Sequence, residues 1–418
     1  MIETLILADD LSGAADCASA WLSAGESPLV LIDSKAGCDD TTALAVDLDS
    51  RAMPPRDAGA TMAAAVAHFL SPGTRILYQK MDSTLRGNWA RETASALQAA
   101  AAVRGRRPLA IVTPAFPAAG RSIVAGRSLL SGVALEETET WAREGLTRPA
   151  EPGAWLSAEG LGIALAGINE VRLGPHQLAA LFADRSRAGD DAVVCDALTE
   201  ADLDVIAGAA LALAPMPLYV GSAGLMRALA RAGGRASAPP APPIAVAAAG
   251  PALIVVGSAS EVSRGQVRAL VEERAITAIM VAPSVLREGF ASGPMLAHAQ
   301  QIVATLASGA DLIVAVDGSE GVDLRDGRQL SAALADLTAP TLHRLGGLVI
   351  TGGETARAVL TRSGVPGLKI HGEVEPGVPV SSALGAVGIP VVTKAGAFGN
   401  RMTLIRCLDA LRGCSPSP

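Results

Sequence analysis

The chain has 418 residues, half of them hydrophobic and only 3% aromatic, with a net charge of −7 and a pI near 5.4. That length exceeds what one core usually supports and predicts two domains, and the aromatic-poor composition leaves the cores to Ala, Val, Leu and Ile, as suits helices packed on parallel strands. The acidic balance excludes a protein that coats nucleic acid or anionic membrane, so an anionic ligand would need a local cluster of cations.

Thr4 to Ala8 reads as an apolar strand ending in Asp9-Asp10, followed by a helical stretch to about Ala24 in which Ser12 is a candidate N-cap and Gly13 admits close backbone approach. Leu29–Asp33 and Ala43–Leu48 read as further strands, the second leading into Asp49-Ser50-Arg51. A helix over Arg56–Leu70 returns the chain to Ile76-Leu77-Tyr78 and the stretch Lys80-Met-Asp-Ser-Thr-Leu-Arg-Gly-Asn88. Such polar density just beyond a strand suits a small anionic ligand, because ligands of open α/β sheets gather beyond the strand ends; a polar turn capping the next helix is the plainer alternative. A helix from Trp89 to about Ala102, the strand Leu109–Thr113 and the proline-stiffened loop Pro114 to Arg121 follow. Leu130 to Leu173 shows no readable pattern. Alternation resumes with Ala192–Cys195, Glu200–Ala214, Leu218–Val220 and a helix after Gly221-Ser222-Ala223-Gly224.

Residues 235–251 hold the run Pro239-Pro240-Ala241-Pro242-Pro243, which can continue neither a helix nor a central strand. The predicted organisation is therefore a first domain over 1–234, a Pro/Ala-rich linker over 235–251 and a second domain over 252–418, each a mostly parallel sheet flanked by helices. In the second domain, strands Ala252–Val256, Thr277–Val281, Leu312–Val316, Leu348–Thr351 and Ile389–Val392 alternate with helices over Glu261–Glu273, Pro294–Ala307, Gln329–Leu337, Ala356–Arg362 and Met402–Leu411. His371 precedes the turn-rich acidic stretch Gly372 to Gly377, which reads as a hairpin.

Three loops of this domain follow predicted strands: Gly257-Ser258-Ala259-Ser260, Thr351-Gly352-Gly353-Glu354-Thr355 and Lys394 to Gly399. Glycine at a strand-to-helix turn lets backbone N–H groups face a phosphate at the positive end of a helix, although glycine also serves ordinary turns. Neither G-x-x-x-x-G-K-[ST] nor G-x-G-x-x-G occurs, which excludes the P-loop and dinucleotide fingerprints. In the first domain Asp9, Asp10, Asp49 and Asp82 offer carboxylates for polyol hydroxyls or a departing proton, with helix capping as the plainer role of Asp9-Asp10. Lys80, Arg51, Arg86 and Arg121 are the counter-charges for a substrate carboxylate. Lysine is scarce, 4 against 30 arginines, and two of the four, Lys80 and Lys394, sit in these motifs. The five cysteines lack metal spacing and read as thiols of a reducing compartment, the five histidines are scattered, no G-x-S-x-G elbow occurs and no metal site is predicted. No apolar run approaches the ~18 residues of a membrane span. The expectation is a cytoplasmic protein bound to neither membrane nor nucleic acid, with self-association left open.

Taken together these stretches resemble the four-carbon acid sugar kinase family, long filed as a domain of unknown function. The resemblance rests on Ala8 to Ala14, Asp49-Ser50-Arg51, Lys80 to Asn88, Pro114 to Arg121, Gly257-Ser258, Gly352 to Thr355, Gly372 to Val380 and Lys394 to Gly399, in family order over nearly the whole chain. It implies a substrate-binding N-terminal domain, a nucleotide-binding C-terminal domain and an active site in the cleft between them. It also implies ATP- and Mg²⁺-dependent phosphorylation of the terminal hydroxyl of a threonate, erythronate or 3-oxo-tetronate. Carried over by motif, Asp9, Asp10, Arg51, Lys80, Asp82, Ser83, Arg86 and Asn88 fall on the substrate side, with Asp10, Lys80 and Asp82 as catalytic candidates. Ser258, Gly352, Gly353, Glu354, Thr355, Lys394, Gly396 and Gly399 fall on the nucleotide side. Ser12 stands where the family usually has threonine, and Ala395 and Ala397 stand where the last loop often has Ser and Gly. Asp49, where the oxo-tetronate branch tends to carry Lys, and the Ala15-Asp16-Cys17-Ala18 run lean the reading toward D-threonate, with D-erythronate, 3-oxo-tetronate or a non-catalytic sugar-acid and nucleotide sensor as alternatives.

Overall fold

The computed structural model describes residues 2–22, 26–34, 36–37, 41–146, 148–233, 250–258, 260–318, 326–385, 387–396 and 398–413. Most of the expected linker, 235–249, lies outside them, as do Ala259, Ala397, Cys38 and Cys414. The chain divides into two compact units, Met1–Pro28 with Gly37–Pro240 and Leu29–Ala36 with Ala241–Pro418.

The first strands are β1 (Thr4–Ala8), β2 (Leu29–Leu31), β3 (Ala43–Asp47), β4 (Ile76–Lys80) and β5 (Ala110–Thr113). They are followed by β6 (Arg121–Val124), β7 (Arg127–Leu130), β8 (Val133–Ala134), β9 (Ile163–Ala166), β10 (Ala192–Cys195) and β11 (Leu218–Gly221). In the first unit β3-β1-β4-β11-β5-β10-β9 pair in that order, all parallel. β1, β3 and β4 are buried along their whole length, as strands covered by helices on both faces must be. Each such aliphatic side chain contributes about 1.5–3 kcal/mol by leaving water. Helices α1 (Leu11–Ser19), α2 (Pro55–Phe69) and α3 (Trp89–Arg104) connect these central strands. Asp10 caps α1 by accepting the Gly13 N–H at 2.9 Å, and Gly105 ends α3 in the left-handed region at φ 72°.

The unreadable segment begins in a meander. β6-β7-β8 form a separate antiparallel sheet, turned by Ala125-Gly126 (φ 50° and 76°) and Ser131-Gly132 (φ 52° and 83°). Both central residues of each turn have positive φ, as type I′ hairpin turns require, but without the Asn or Asp that usually announces them. Asp196 takes up the Ala125 and Gly126 N–H groups at 2.7 and 2.9 Å.

In the second unit the strands are β12 (Ala252–Val256), β13 (Thr277–Val281), β14 (Leu312–Val316), β15 (Gly347–Thr351), β16 (Gly367–Glu375), β17 (Val378–Ala383) and β18 (Pro390–Lys394). β13-β14-β12-β15-β18 are parallel, and β17, β16 and β2 continue the sheet antiparallel. The hairpin expected at Gly372 to Gly377 is present as β16–β17, with longer strands than the acidic stretch indicates. β2 differs from expectation: Leu29–Leu31 pairs with Gly367–Lys369 in the second unit, and the Ile32 and Asp33 N–H groups both donate to the Pro366 carbonyl, at 2.9 and 3.1 Å. An apolar three-residue strand carries no mark of the sheet it will join.

Candidate functional site

In the first unit the polar loops leave the carboxyl ends of adjacent strands: Asp9-Asp10 after β1, Asp49 to Arg51 after β3, Lys80 at the end of β4. The register sets Ala8 opposite both Asp47 and Lys80. Arg51 gathers the carboxylates. Its Nε and Nη2 donate to the two oxygens of Asp9 at 2.7 and 2.8 Å, and Nη1 donates to Asp10 Oδ2 at 2.9 Å. Burial pushes the Asp9 carboxyl up, with Arg51 pulling the other way. For Asp10 the cost of burial is outweighed by Arg51, Lys80 and the Gly13 N–H, and its carboxyl is held down.

Asp82 is more fully occupied. Oδ1 accepts from the Thr84 N–H at 2.9 Å, the Thr84 hydroxyl and Arg86 Nε at 3.0 Å, while Oδ2 accepts Arg86 Nη2 at 2.7 Å. Against burial, Arg86 and then Arg51 hold this carboxyl well below the usual range. Asp10 by contrast accepts one hydrogen bond on each oxygen, from Gly13 and Arg51, and keeps lone pairs available. Lys80 is buried and donates to the Met81 carbonyl at 2.9 Å. Burial alone would lower its amine, but the neighbouring carboxylates of Asp10, Asp9 and Asp82 help to raise it, so it is cationic.

Two glycines permit this closeness. A Cβ on Gly13 would lie 2.6 Å from Asp10 Oδ1 and 2.9 Å from Lys80 Nζ, and one on Gly87 (φ 83°) would lie 3.0 Å from Asp9 Oδ2. Asn88 is brought close but committed elsewhere: its amide donates to the carbonyls of Ser50 and Met53 at 3.0 and 2.9 Å. Ser83 is half-buried beside Asp82. Arg121 donates through Nη1 to the Ala119 carbonyl, and its Nε is buried with no partner among the described residues. Burial lowers its guanidinium, Asp82 raising and Arg86 lowering it further. Glu92 of α3, which no sequence motif singles out, lies wholly buried behind this group and accepts the Ser50 hydroxyl.

In the second unit the three glycine loops leave β12, β15 and β18, which are consecutive in the sheet and parallel, so the loops emerge side by side. Gly352 (φ 101°) caps the helix Gly353–Arg362, whose first turn carries Glu354, exposed, and Thr355, turned inward to Ser331 Oγ at 3.0 Å. A Cβ on Gly257 would overlap the Thr355 hydroxyl, and one on Gly396 would lie 2.5 Å from Ser258 Oγ. The Gly396 carbonyl accepts from Ser260 Oγ at 3.3 Å and Ser263 Oγ at 2.6 Å, while Gly399 (φ 83°) packs against Thr403 and Glu375. Lys394 is 1% exposed and, among the described residues, donates only to the carbonyls of Ala395 and Gly396, at 3.0 and 3.3 Å. Desolvation lowers its amine to about 8, against the pull of Cys407 and Glu375. A cavity of about 550 Å³ opens beside Ser258, walled by Val267, Val271, Ala278 and Met280 and edged by Arg264 and Arg268. A larger one, about 660 Å³, lies at the opposite, amino-terminal ends of the first unit's strands and contains none of the motif residues.

The two units thus carry an acid-and-cation cluster and an array of glycine loops, the pattern of a protein with separate sugar- and nucleotide-binding domains. Residues 4–229 match the family model described as a sugar-binding N-terminal domain, and residues 253–404 match that of a nucleotide-binding C-terminal domain. The chain belongs to the four-carbon acid sugar kinase family. It is 42% identical to a D-threonate kinase of Cupriavidus necator, over 97% of each chain. With a D-threonate kinase of Salmonella typhimurium it shares 33%, over 97% of this chain and 98% of the other. The fold matches a crystal structure of a Haemophilus influenzae protein from a domain-of-unknown-function family, with a TM-score of 0.76 at 22% identity over 97% of this chain and 99% of that one. Among the described residues no helix is long and apolar enough to cross a membrane.

Arg51→Ala would leave Asp9 buried without its counter-charge, a loss of about 3–5 kcal/mol at neutral pH. The folded variant then binds a proton on Asp9 more tightly than the unfolded chain, so its stability rises as pH falls from 7 toward 4. Urea unfolding of both proteins across that range checks this; parallel pH curves would contradict it. For Lys394, ADP affinity is expected to fall as pH rises from 7 to 9.5 and the amine loses its proton. Lys394→Met should bind ADP about tenfold more weakly at pH 7 and lose the pH dependence, as read by isothermal titration.

Proposed function

We propose that this kinase transfers the γ-phosphoryl group of ATP to the terminal, C4, hydroxyl of a four-carbon sugar acid, with D-threonate as substrate. The observation that carries the site assignment is the Asp10 carboxylate. It is fixed by Arg51 and Gly13, retains free lone pairs, and flanks the same glycine as the Lys80 amine. The substrate identity is supported by the 42% identity with a D-threonate kinase over nearly the full length.

Phosphoryl transfer asks mainly for positioning and charge neutralisation. Arg121, with its buried Nε unpartnered, receives the substrate carboxylate; Arg51 and Arg86 are already engaged by Asp9, Asp10 and Asp82. Asp10 orients the C4 hydroxyl and accepts its proton. The C4 oxygen then bonds to the γ-phosphorus as the bond from that phosphorus to the β–γ bridging oxygen breaks, and ADP leaves with that oxygen. Lys80 neutralises charge on the transferring group. Asp82, saturated by Thr84 and Arg86, anchors the loop and is not the proton acceptor.

On the nucleotide side the N–H groups of the glycine loops and the Lys394 amine hold the phosphates, and the cavity beside Ser258 takes the adenine ring. Mg²⁺ binds chiefly phosphate and water oxygens and needs only one or two from the protein. The exposed Glu354 carboxylate and the buried Thr351 hydroxyl, which has no hydrogen-bond partner among the described residues, lie at the middle glycine loop and fit that need. Bound there, Mg²⁺ would neutralise phosphate charge.

ADP release with ATP, Mg²⁺ and a panel of D- and L-threonate, D- and L-erythronate and 3-oxo-tetronates is expected to single out D-threonate; preference for another acid would overturn the substrate. Lys80→Ala should abolish turnover while ADP still binds, and near-normal turnover would remove Lys80 from the mechanism. Losing hydrogen bonds to a charged carboxylate costs about 1.5–3 kcal/mol, so Arg121→Ala should raise KM for the acid roughly 10- to 100-fold with KM for ATP unchanged. An unchanged KM for the acid would assign the carboxylate to another cation.

A further inference from the structure

The geometry points to Glu92 as the residue that positions Arg51, by gripping Ser50 as a neutral carboxylic acid. This rests on the reading that the Arg51 cluster binds the sugar acid.

Asn88, the N-cap residue of α3, and Glu92 in the first turn of that helix both grip the turn that carries Arg51. The Asn88 amide donates to the carbonyls of Ser50 and Met53, and Glu92 Oε1 accepts the Ser50 hydroxyl. The turn needs such support because Asp49, which is not glycine, sits at φ 50°. Non-glycine residues in that region persist only where their surroundings over-determine them. Arg51 follows Ser50 directly, and its guanidinium must lie over Asp9 and Asp10.

Three features make the Glu92 carboxyl neutral. Ser50 and Glu92 are both 0% exposed, and Oε2 has no hydrogen-bond partner among the described residues, an environment hostile to a carboxylate anion. The charged groups that bear on it are Asp9 from the end of β1 and Arg51 from the turn. Helix α2, packed along α3, presents a buried face of Ala58, Gly59, Met62, Ala65, Val66 and Phe69, and the preceding residue on α3, Arg91, is ion-paired with Glu159 at 2.9 Å. The carboxyl is accordingly pushed up to about 8, by burial first and by Asp9 second, against the Ser50 hydrogen bond and Arg51. Once ionised, it competes with Asp9 for the Arg51 guanidinium and draws Arg51 off the substrate side.

The test is kcat/KM for the sugar acid, at saturating ATP, from pH 6 to 9.5. In the wild type it should fall as pH rises through about 8. Glu92→Gln, which stays uncharged and keeps an acceptor for Ser50, should match the wild type at pH 7 and remain flat beyond 8. Glu92→Ala should raise KM for the acid at least tenfold at every pH while leaving KM for ATP unchanged. A wild-type fall retained in Glu92→Gln, or an unaltered KM in Glu92→Ala, overturns the proposal. Thermal melting without substrate reads the same group independently of turnover. A raised carboxyl pKa means the folded state binds the proton more tightly, so the wild type should lose stability between pH 5 and 8 relative to Glu92→Gln. Parallel melting curves would overturn the neutral acid even if no acid on the panel is phosphorylated, whereas silence on the panel with diverging curves would count against the substrate reading alone.

Discussion

A single guanidinium shared between two adjacent carboxylates organises the sugar-binding unit. Asp9 is almost fully removed from water, and an unpaired carboxylate there would be prohibitively costly, so the loop after β3 must deliver Arg51 to it. Gly87 has no side chain because Asp9 occupies that space, Asn88 turns back to hold the Arg51 loop, and Asp10 is left fixed but unsaturated. Of the two, Asp10 is thus the carboxylate whose hydrogen-bonding capacity the scaffold does not fully use. Asp82, one strand over, shows the opposite outcome: two arginine donors and a threonine exhaust it, and it serves as an anchor.

Charge is handled differently in the nucleotide-binding unit. Lys394 has backbone carbonyls for partners, and desolvation weakens its hold on its proton. Lys80 is embedded among acids that keep it charged. Two lysines alike in sequence context, each closing a parallel strand, thus differ in electrostatics: neighbouring acids hold one as a cation, while desolvation lowers the amine of the other. Sequence alone shows that both are rare and well placed, but not which carbonyls or carboxylates will surround them.

Most of the parallel architecture was legible, because strands such as Ala252–Val256 and Leu312–Val316 are apolar runs bounded by polar loops and followed by periodic helices. The meander over 121–134 was not, since strands of two to four residues are too short to show a period and its turns use Ala-Gly and Ser-Gly. The site residues were visible as types in motifs. Their division into anchors and free groups was not, because that depends on hydrogen-bond saturation: Asn88 and Asp82 look as reactive on paper as Asp10. Glu92 escaped notice altogether, since an acid on a helix ordinarily faces solvent, and its burial follows from how α3 packs rather than from its own neighbours in the chain.

The short strand Leu29–Leu31 gives the molecule an unusual lineage constraint. Because the sequence enters the nucleotide-binding unit for eight residues, returns, and crosses again near residue 240, the two halves are not separable cassettes. A gene fragment ending at the linker would carry off the strand that covers the outer edge of β16, leaving that edge's N–H and C=O groups as a template for foreign pairing. Recombination between relatives at the linker would splice a borrowed strand onto a native sheet. Exchange of one half without the other therefore requires that three residues far upstream still match, which ties the inheritance of the sugar-binding sequence to that of its nucleotide-binding partner.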